Sequence, residues 1–358
     1  MLTKSLSKNL LSVRALFVLG VTFFAAACSS SDDDAPTSGD ISARIGLSGV
    51  TQNFDGSEEK WRELLDGARV AQVSFLHLQA APWSEAETAS GAFDFSYFDP
   101  FVRLNESYRF AYTLDLATPL GLGAPDVPSD LAGIAFDDPL LLVRYKAYIF
   151  AALRKLSAAT EVVLHTETAG PFFENDERSE SFLAYCRLIG AAADYVRELR
   201  PGVRVGVYGT KNESPGILQC LNRSTDFFGI GYIGDRGDED YETVISSLAD
   251  QAGDKPIGFF EAGIPTAARL GGTEERQSEF VHYLFSFAAA RGSRLSFLSY
   301  FQRIDLDESV VRGFVPTLFA QYSDAEREDA VAFFTSLGLV RADGTPKPAW
   351  ELFRTQRR

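Results

Sequence analysis

The strongest constraint on the fold is a rhythm in which eight short apolar runs are separated by longer amphipathic stretches. The runs fall at 43–47, 71–78, 109–114, 161–166, 203–208, 226–232, 256–260 and 294–300. Between them, 58–67, 140–157, 179–199, 241–251 and 274–290 place apolar residues at helical spacing. Several runs are apolar throughout, as strands are when helices cover a parallel sheet. Eight strand–helix units predict an α/β fold of a single domain, a closed (β/α)8 or TIM barrel spanning 41–358. An open doubly wound sheet is the other arrangement of such units, but its glycine-rich phosphate loop would have to follow the first strand, and it does not.

Two of the runs finish on a carboxylate. Residues 257–260 lead directly into Glu261, and Gly263 and Pro265 then stop regular structure. Upstream, Val162, Val163 and Leu164 lead through His165 and Thr166 to Glu167, followed by Gly170 and Pro171. An unpaired buried charge is costly, so a buried strand has no local reason to end on one. Capping by solvent or an ion pair explains either glutamate alone; the repetition points to a site. Barrel active sites lie at the C-terminal ends of the strands, where both glutamates fall. Two carboxyls flanking one bond are the equipment of glycoside hydrolysis, one giving a proton to the leaving oxygen while the other attacks the anomeric carbon or activates water.

Other chemistries find little support. The net charge of −15 and pI near 4.7 oppose nucleic-acid binding, which needs a basic face. Gly229, Gly231 and Gly234 satisfy a dinucleotide fingerprint literally, but they lie in a late strand that runs into Asp235, Asp238, Glu239 and Asp240. Those acids would repel a pyrophosphate, so no nucleotide is expected. The same acidic loop lacks the regular spacing of a calcium loop, and three scattered histidines make no zinc site. No serine nucleophile elbow occurs. The expectation is a site with no metal and no cofactor.

Lys4, Lys8 and Arg14 precede an apolar run over 15–27 that is too short to span a membrane and reads as an export signal. The close of that run, Phe24-Ala25-Ala26-Ala27-Cys28, resembles a bacterial lipoprotein signal, with Ala25 where leucine is usual. The resemblance implies a signal peptide over 1–27 and a lipid on Cys28. That would anchor the chain to a membrane of the bacterial cell envelope, the outer membrane or cell surface. Residues 28–40, rich in serine, aspartate and proline, would form a flexible tether. Export makes a disulfide between Cys186 and Cys220 possible, but Cys186 lies in a helical pattern and small buried cysteines are common, so the sequence favours separate thiols and leaves the pairing open.

The glutamates and their surroundings resemble the retaining glycoside hydrolases of clan A, in which the acid/base ends strand four and the nucleophile ends strand seven. Those are the ranks of Glu167 and Glu261. Trp83-Ser84-Glu85 with 91–96 and Asp99, Lys255-Pro256, Glu275-Arg276-Gln277 and the closing segment from Gly338 to Trp350 also look like the clan, over about 44–353. The resemblance implies an oligo- or polysaccharide substrate. It also implies that Tyr232, at the end of strand six, hydrogen-bonds the nucleophile. The sequence departs from the clan at Thr166, where asparagine is common, and at Tyr300 and Phe301, where a tryptophan is usual. A noncatalytic glycan-binding barrel is therefore a second reading.

Other candidates follow from position. His77 and His165 share strand faces with Gln79 and Glu167 by two-residue alternation, so they either line the pocket or are satisfied core histidines. Asp115, Asn212 and Gln302 lie just past strand ends, where they could bind sugar hydroxyls. Trp83, Tyr300 and Trp350 are candidate platforms for a sugar's apolar face.

Overall fold

A computed structural model describes residues 44–48 and 56–355, apart from 122–124, 165, 235, 238, 320 and 321. The signal segment, Cys28, the tether and His165 lie outside the described residues. Eight strands close a parallel barrel: β1 (Arg44–Ser48), β2 (Phe75–Gln79), β3 (Ala111–Leu116), β4 (Ala159–Leu164), β5 (Arg204–Gly209), β6 (Phe227–Ile233), β7 (Ile257–Gly263) and β8 (Leu295–Tyr300). Each pairs with its sequence neighbours, and β8 returns to β1, with Arg44 opposite Phe297 and Leu47 opposite Tyr300. All eight predicted strands are present. The second begins later than predicted, because Ala71 caps a helix and Val73 hydrogen-bonds back to Ala68.

Helices follow the strands as α1 (Glu58–Val70), α2 (Asp99–Tyr108), α3 (Pro139–Lys155), α4 (Glu180–Leu199), α5 (Pro215–Asn222), α6 (Tyr241–Gln251) and α7 (Glu274–Arg291). Their starts are written in the sequence, since Ser57, Asp138, Ser179, Ser214, Asp240 and Thr273 each cap a first turn through a side-chain oxygen. After β8, α8 (Glu308–Leu318) and α9 (Asp324–Phe334) pack on each other over their own apolar cluster, around Phe301, Val311 and Phe334. The last helix, α10 (Pro348–Thr355), packs against α7 and completes the outer ring.

The lumen is filled by rings. Phe75, Val163, Tyr208, Phe227, Phe260 and Phe297 form one buried cluster inside the barrel. Glycines on adjacent strands make the room. A Cβ on Gly46 would lie 2.5 Å from Phe75, one on Gly206 2.3 Å from Phe227, and one on Gly258 2.2 Å from Phe297. Each of these glycines stands opposite its phenylalanine in the sheet register, so small and large residues alternate around the wall. Gly229 and Gly231, the false nucleotide fingerprint, do the same work, the first beneath Phe260 and the second beneath the Tyr208 ring.

The N-terminal end of the barrel is sealed by charge. Glu161 takes hydrogen bonds from Arg44 at 2.5 Å and Arg204 at 2.7 Å, and the two guanidinium groups lie over Phe75, Phe297 and Phe227. Burial pushes the Glu161 carboxyl up. The hydrogen bonds from Thr160 and Arg204 and the two arginine charges outweigh that push and hold it below the usual carboxylate range.

Of the two states the sequence leaves open for its last two cysteines, the less favoured one is present. Cys186 on α4 and Cys220 on α5 form a disulfide, with Cα atoms 6.2 Å apart. The two helices pack side by side, which brings together cysteines 34 residues apart in sequence.

Candidate active site

Glu167 stands three residues past the end of β4, and Glu261 lies within β7, both buried at the C-terminal mouth. How Glu261 comes to face inward is a matter of register. Along β6, Ile230 pairs with Phe259 and the next residue, Gly231, pairs with Glu261. Along β8, Leu298 pairs with Phe259 and Tyr300 with Ala262. Both neighbours thus pass one extra residue on β7, a β-bulge at Phe260–Glu261. Phe260 belongs to the lumen cluster, and strict alternation would send Glu261 outward to the helices. The bulge instead lets Phe260 and Glu261 face the lumen in succession.

Two hydrogen bonds fix the carboxyls. Gln79 at the tip of β2 donates from Nε2 to Glu261 Oε1 at 3.1 Å. Strands β2 and β7 are not neighbours in the sheet, so this bond crosses the mouth. Tyr208 on β5 donates its hydroxyl to Glu167 Oε2 at 2.7 Å. The Tyr208 ring lies over Gly231, the register partner of Glu261: a Cβ there would come within 2.8 Å of the ring. Burial drives the phenol well above its ordinary value, and the charges of Glu167, Glu261 and Asp115 add to the rise. Tyr208 therefore remains a donor, bonded to Glu167 while its ring lies over the register partner of Glu261.

His77 and Asp115 line the same mouth. His77 Nε2 lies 3.8 Å from Asp115 Oδ2, its Nδ1 lies 3.4 Å from Ser48 Oγ, and its ring meets the edge of Phe260. Thr166 is buried and donates its hydroxyl to the Tyr208 carbonyl at 3.1 Å, which ties the exit of β4 to β5. Asn212 lies in the loop after β5, where its carbonyl accepts from Asn175.

Five expectations need correction. Tyr232 is on the outer face of β6: Gly231 faces the lumen, and the Tyr232 ring packs on Phe280 of α7 while its hydroxyl donates to Glu239 at 3.0 Å. Trp83 is 0 % exposed, packed at tilted angles against Tyr145 and Tyr148, and its indole N–H is spent on Glu87 at 2.8 Å. Tyr300 is also 0 % exposed and donates to the Leu337 carbonyl. Gln302 is buried with its amide on the carbonyls of Ile304 and Phe334. Trp350 is buried against Phe353 in the last helix. These residues pack or pin the scaffold and offer no ring face or amide to a sugar.

Sequence reasoning passed over Tyr208, Ser48 and Glu213. Tyr208 ends the fifth apolar run on the same parity as Gly206, and that alternation was the available signal. Changing Tyr208 to phenylalanine keeps the ring in the lumen cluster and deletes one hydrogen bond to a carboxyl. The expected result is a roughly 10- to 100-fold lower kcat at near-constant KM and folding stability, from about 1.5–3 kcal/mol for such a bond. Unchanged kcat in steady-state kinetics would remove Tyr208 from the site.

The barrel is similar to solved glycoside hydrolases. A family 5 subfamily 18 enzyme from Streptomyces cattleya, in complex with Manβ1-4GlcNAc, is 13% identical at TM-score 0.64, covering 88% of this chain and 80% of that one. A psychrophilic family 10 endo-β-1,4-xylanase is 12% identical at TM-score 0.63, covering 87% and 96%. A family 39 glycoside hydrolase from Bacteroides cellulosilyticus WH2 is 14% identical at TM-score 0.57, covering 90% and 65%. No protein-family profile matches the chain, and neither does any curated protein. At such identities the likeness shows the (β/α)8 fold.

Proposed function

We propose that this protein is a glycoside hydrolase of the retaining kind, with Glu261 as nucleophile and Glu167 as acid/base. The observation that carries the reading is that two buried glutamates, from strands seven and four, stand at one mouth of the barrel, Glu167 bonded by the Tyr208 hydroxyl and Glu261 opposite Gly231, over which the Tyr208 ring lies. In the first half-reaction a Glu261 oxygen attacks the anomeric carbon. The bond to the leaving oxygen breaks with its electron pair, and Glu167 supplies the proton that oxygen takes up. In the second, Glu167 takes a proton from water as that water attacks the same carbon and Glu261 departs. Gln79 fixes the rotation of Glu261, and Tyr208 that of Glu167. The mechanism calls for carboxyls about 5–5.5 Å apart and no metal.

The substrate we infer is an oligo- or polysaccharide, in keeping with neighbours that include a complex with Manβ1-4GlcNAc and an endo-β-1,4-xylanase. His77 and Asp115, beside Glu261 and Tyr208, are our candidates to hold its hydroxyls. We further propose that the chain is exported and held at a membrane of the bacterial envelope through a lipid on Cys28. The disulfide between Cys186 and Cys220 supports export, because such bonds persist in oxidising compartments.

One observation favours a second reading, a glycan-binding barrel without turnover. The hydroxyl of Thr166, where the clan commonly has an asparagine amide for the sugar 2-hydroxyl, is spent on the Tyr208 carbonyl. A panel of β-linked glycans assayed for both binding and reducing-end release separates the two. Release abolished by replacing Glu261 supports the hydrolase, whereas binding without release by fresh protein supports the binder.

A further inference from the structure

Glu213 lies in the loop after β5, and no step of the double displacement uses it. The connection carrying Glu167 rests directly on that loop. A Cβ on Gly170 would lie 2.7 Å from the Asn212 carbonyl oxygen and 2.9 Å from Glu213 Cα. Asn175, in the same connection, accepts from the Ser214 N–H at 2.7 Å and donates to the Asn212 carbonyl at 3.2 Å. In this seat the Glu213 carboxyl is buried. Its Oε2 accepts from the Thr210 N–H at 2.8 Å and the Thr210 hydroxyl at 2.9 Å, while Oε1 is buried with no hydrogen-bond partner among the described residues. Two titratable groups act on it, Glu167 from the β4 connection and Tyr185 from α4, whose hydroxyl donates to Thr118 in the loop after β3. Of the nearby charges, Lys211 pairs with Glu239 at 2.6 Å, and Glu177 covers Gly216 at the start of α5.

We propose that Glu213 is a positioning residue of this site, a third carboxyl that acts through its charge on Glu167. The proposal rests on the acid/base role argued above for Glu167. Because Oε2 already accepts two hydrogen bonds, a neutral Glu213 carries its proton on Oε1. Burial raises this carboxyl from 4.5 to about 8; the Thr210 donors oppose the rise and the charge of Glu167 adds to it. At neutral pH the group is therefore uncharged, and Glu167 faces one negative charge fewer. Above about pH 8 the proton leaves to solvent, and the new carboxylate resists loss of the proton that Glu167 must deliver. The alkaline limb of kcat/KM should then carry a shoulder near pH 8, with rates beyond it roughly tenfold above the extrapolated limb for each pKa unit of coupling.

The test is a carbon-13 NMR titration of side-chain carboxyls in the folded protein, comparing wild type with Glu213→Gln and Thr210→Val and assigning Glu167 through Glu167→Gln. The expected result is one glutamate titrating near pH 8, absent from Glu213→Gln and moved upward in Thr210→Val, which loses a donor to the carboxylate. The Glu167 resonance should inflect at the same pH in wild type and not in Glu213→Gln. Glu213 titrating with ordinary carboxylates, or a Glu167 resonance without that inflection, overturns the proposal. On a cleaved glycan, Glu213→Gln should lose the shoulder. An inert protein with the NMR coupling intact would sink only the hydrolase reading, and an active enzyme without the coupling only the role of Glu213.

Discussion

Glu261→Ala is expected to lower kcat by on the order of 10⁴- to 10⁶-fold, with glycan affinity and the urea midpoint close to wild type, since losing a nucleophile removes the covalent route entirely. The side chain sits at a bulge at the edge of the lumen cluster, so its removal leaves the phenylalanine packing below it intact. Glu167→Ala should cost less, about 10²- to 10⁴-fold, as expected of a general acid. Its defect should also depend on the leaving group. An aryl glycoside whose phenol leaves without a proton should lose far less than an unactivated glycan. Equal losses on both substrates, or turnover retained by Glu261→Ala in stopped assays, would remove these assignments.

The largest stability effect is expected well away from the carboxyl pair. Lys347 is buried and donates to Asp305 at 3.0 Å, to the Ser336 carbonyl at 2.8 Å and to Thr266 Oγ1 at 3.1 Å. Asp305 in turn accepts from the Gly338 N–H at 2.7 Å. One ammonium thus ties the exit of β7, the exit of β8 and the closing segment together, just beyond Glu261. Lys347→Met strands a buried carboxylate, and urea unfolding should report a loss of about 3–5 kcal/mol. Adding Asp305→Asn should recover part of it, because the cost lies in the uncompensated charge. A single variant within about 1 kcal/mol of wild type would show that the pair is not a structural pin.

Much of this architecture was legible in the chain. The apolar runs mark all eight strands, and side-chain caps such as Ser179 and Thr273 mark helix starts, because strand burial and capping are local properties. The ranks of Glu167 and Glu261 come from counting. Alternation misses the bulge in β7, which inserts one residue and so reverses the facing of every later position in the strand. Tyr232 shows the converse error: a tyrosine at a strand end reads as a site residue until the parity of Gly231 turns it to the helix side. Trp83 and Tyr300 read as platforms because aromatic rings serve cores and sugars alike, and only three-dimensional packing separates the two. The bond from Gln79 to Glu261 spans 182 residues of sequence, and no local pattern encodes it.

The central claim, that Glu261 forms a covalent bond to an anomeric carbon, is tested most directly by trapping that bond. The protein is incubated with a mechanism-based glycosidic inactivator matched to a cleaved glycan, then digested and mapped by mass spectrometry. The account predicts one glycosyl adduct, on the peptide containing Glu261, absent from Glu261→Ala and formed with release of a product of retained configuration. An adduct on a different carboxylate, or an inverted product with no adduct at all, would contradict it.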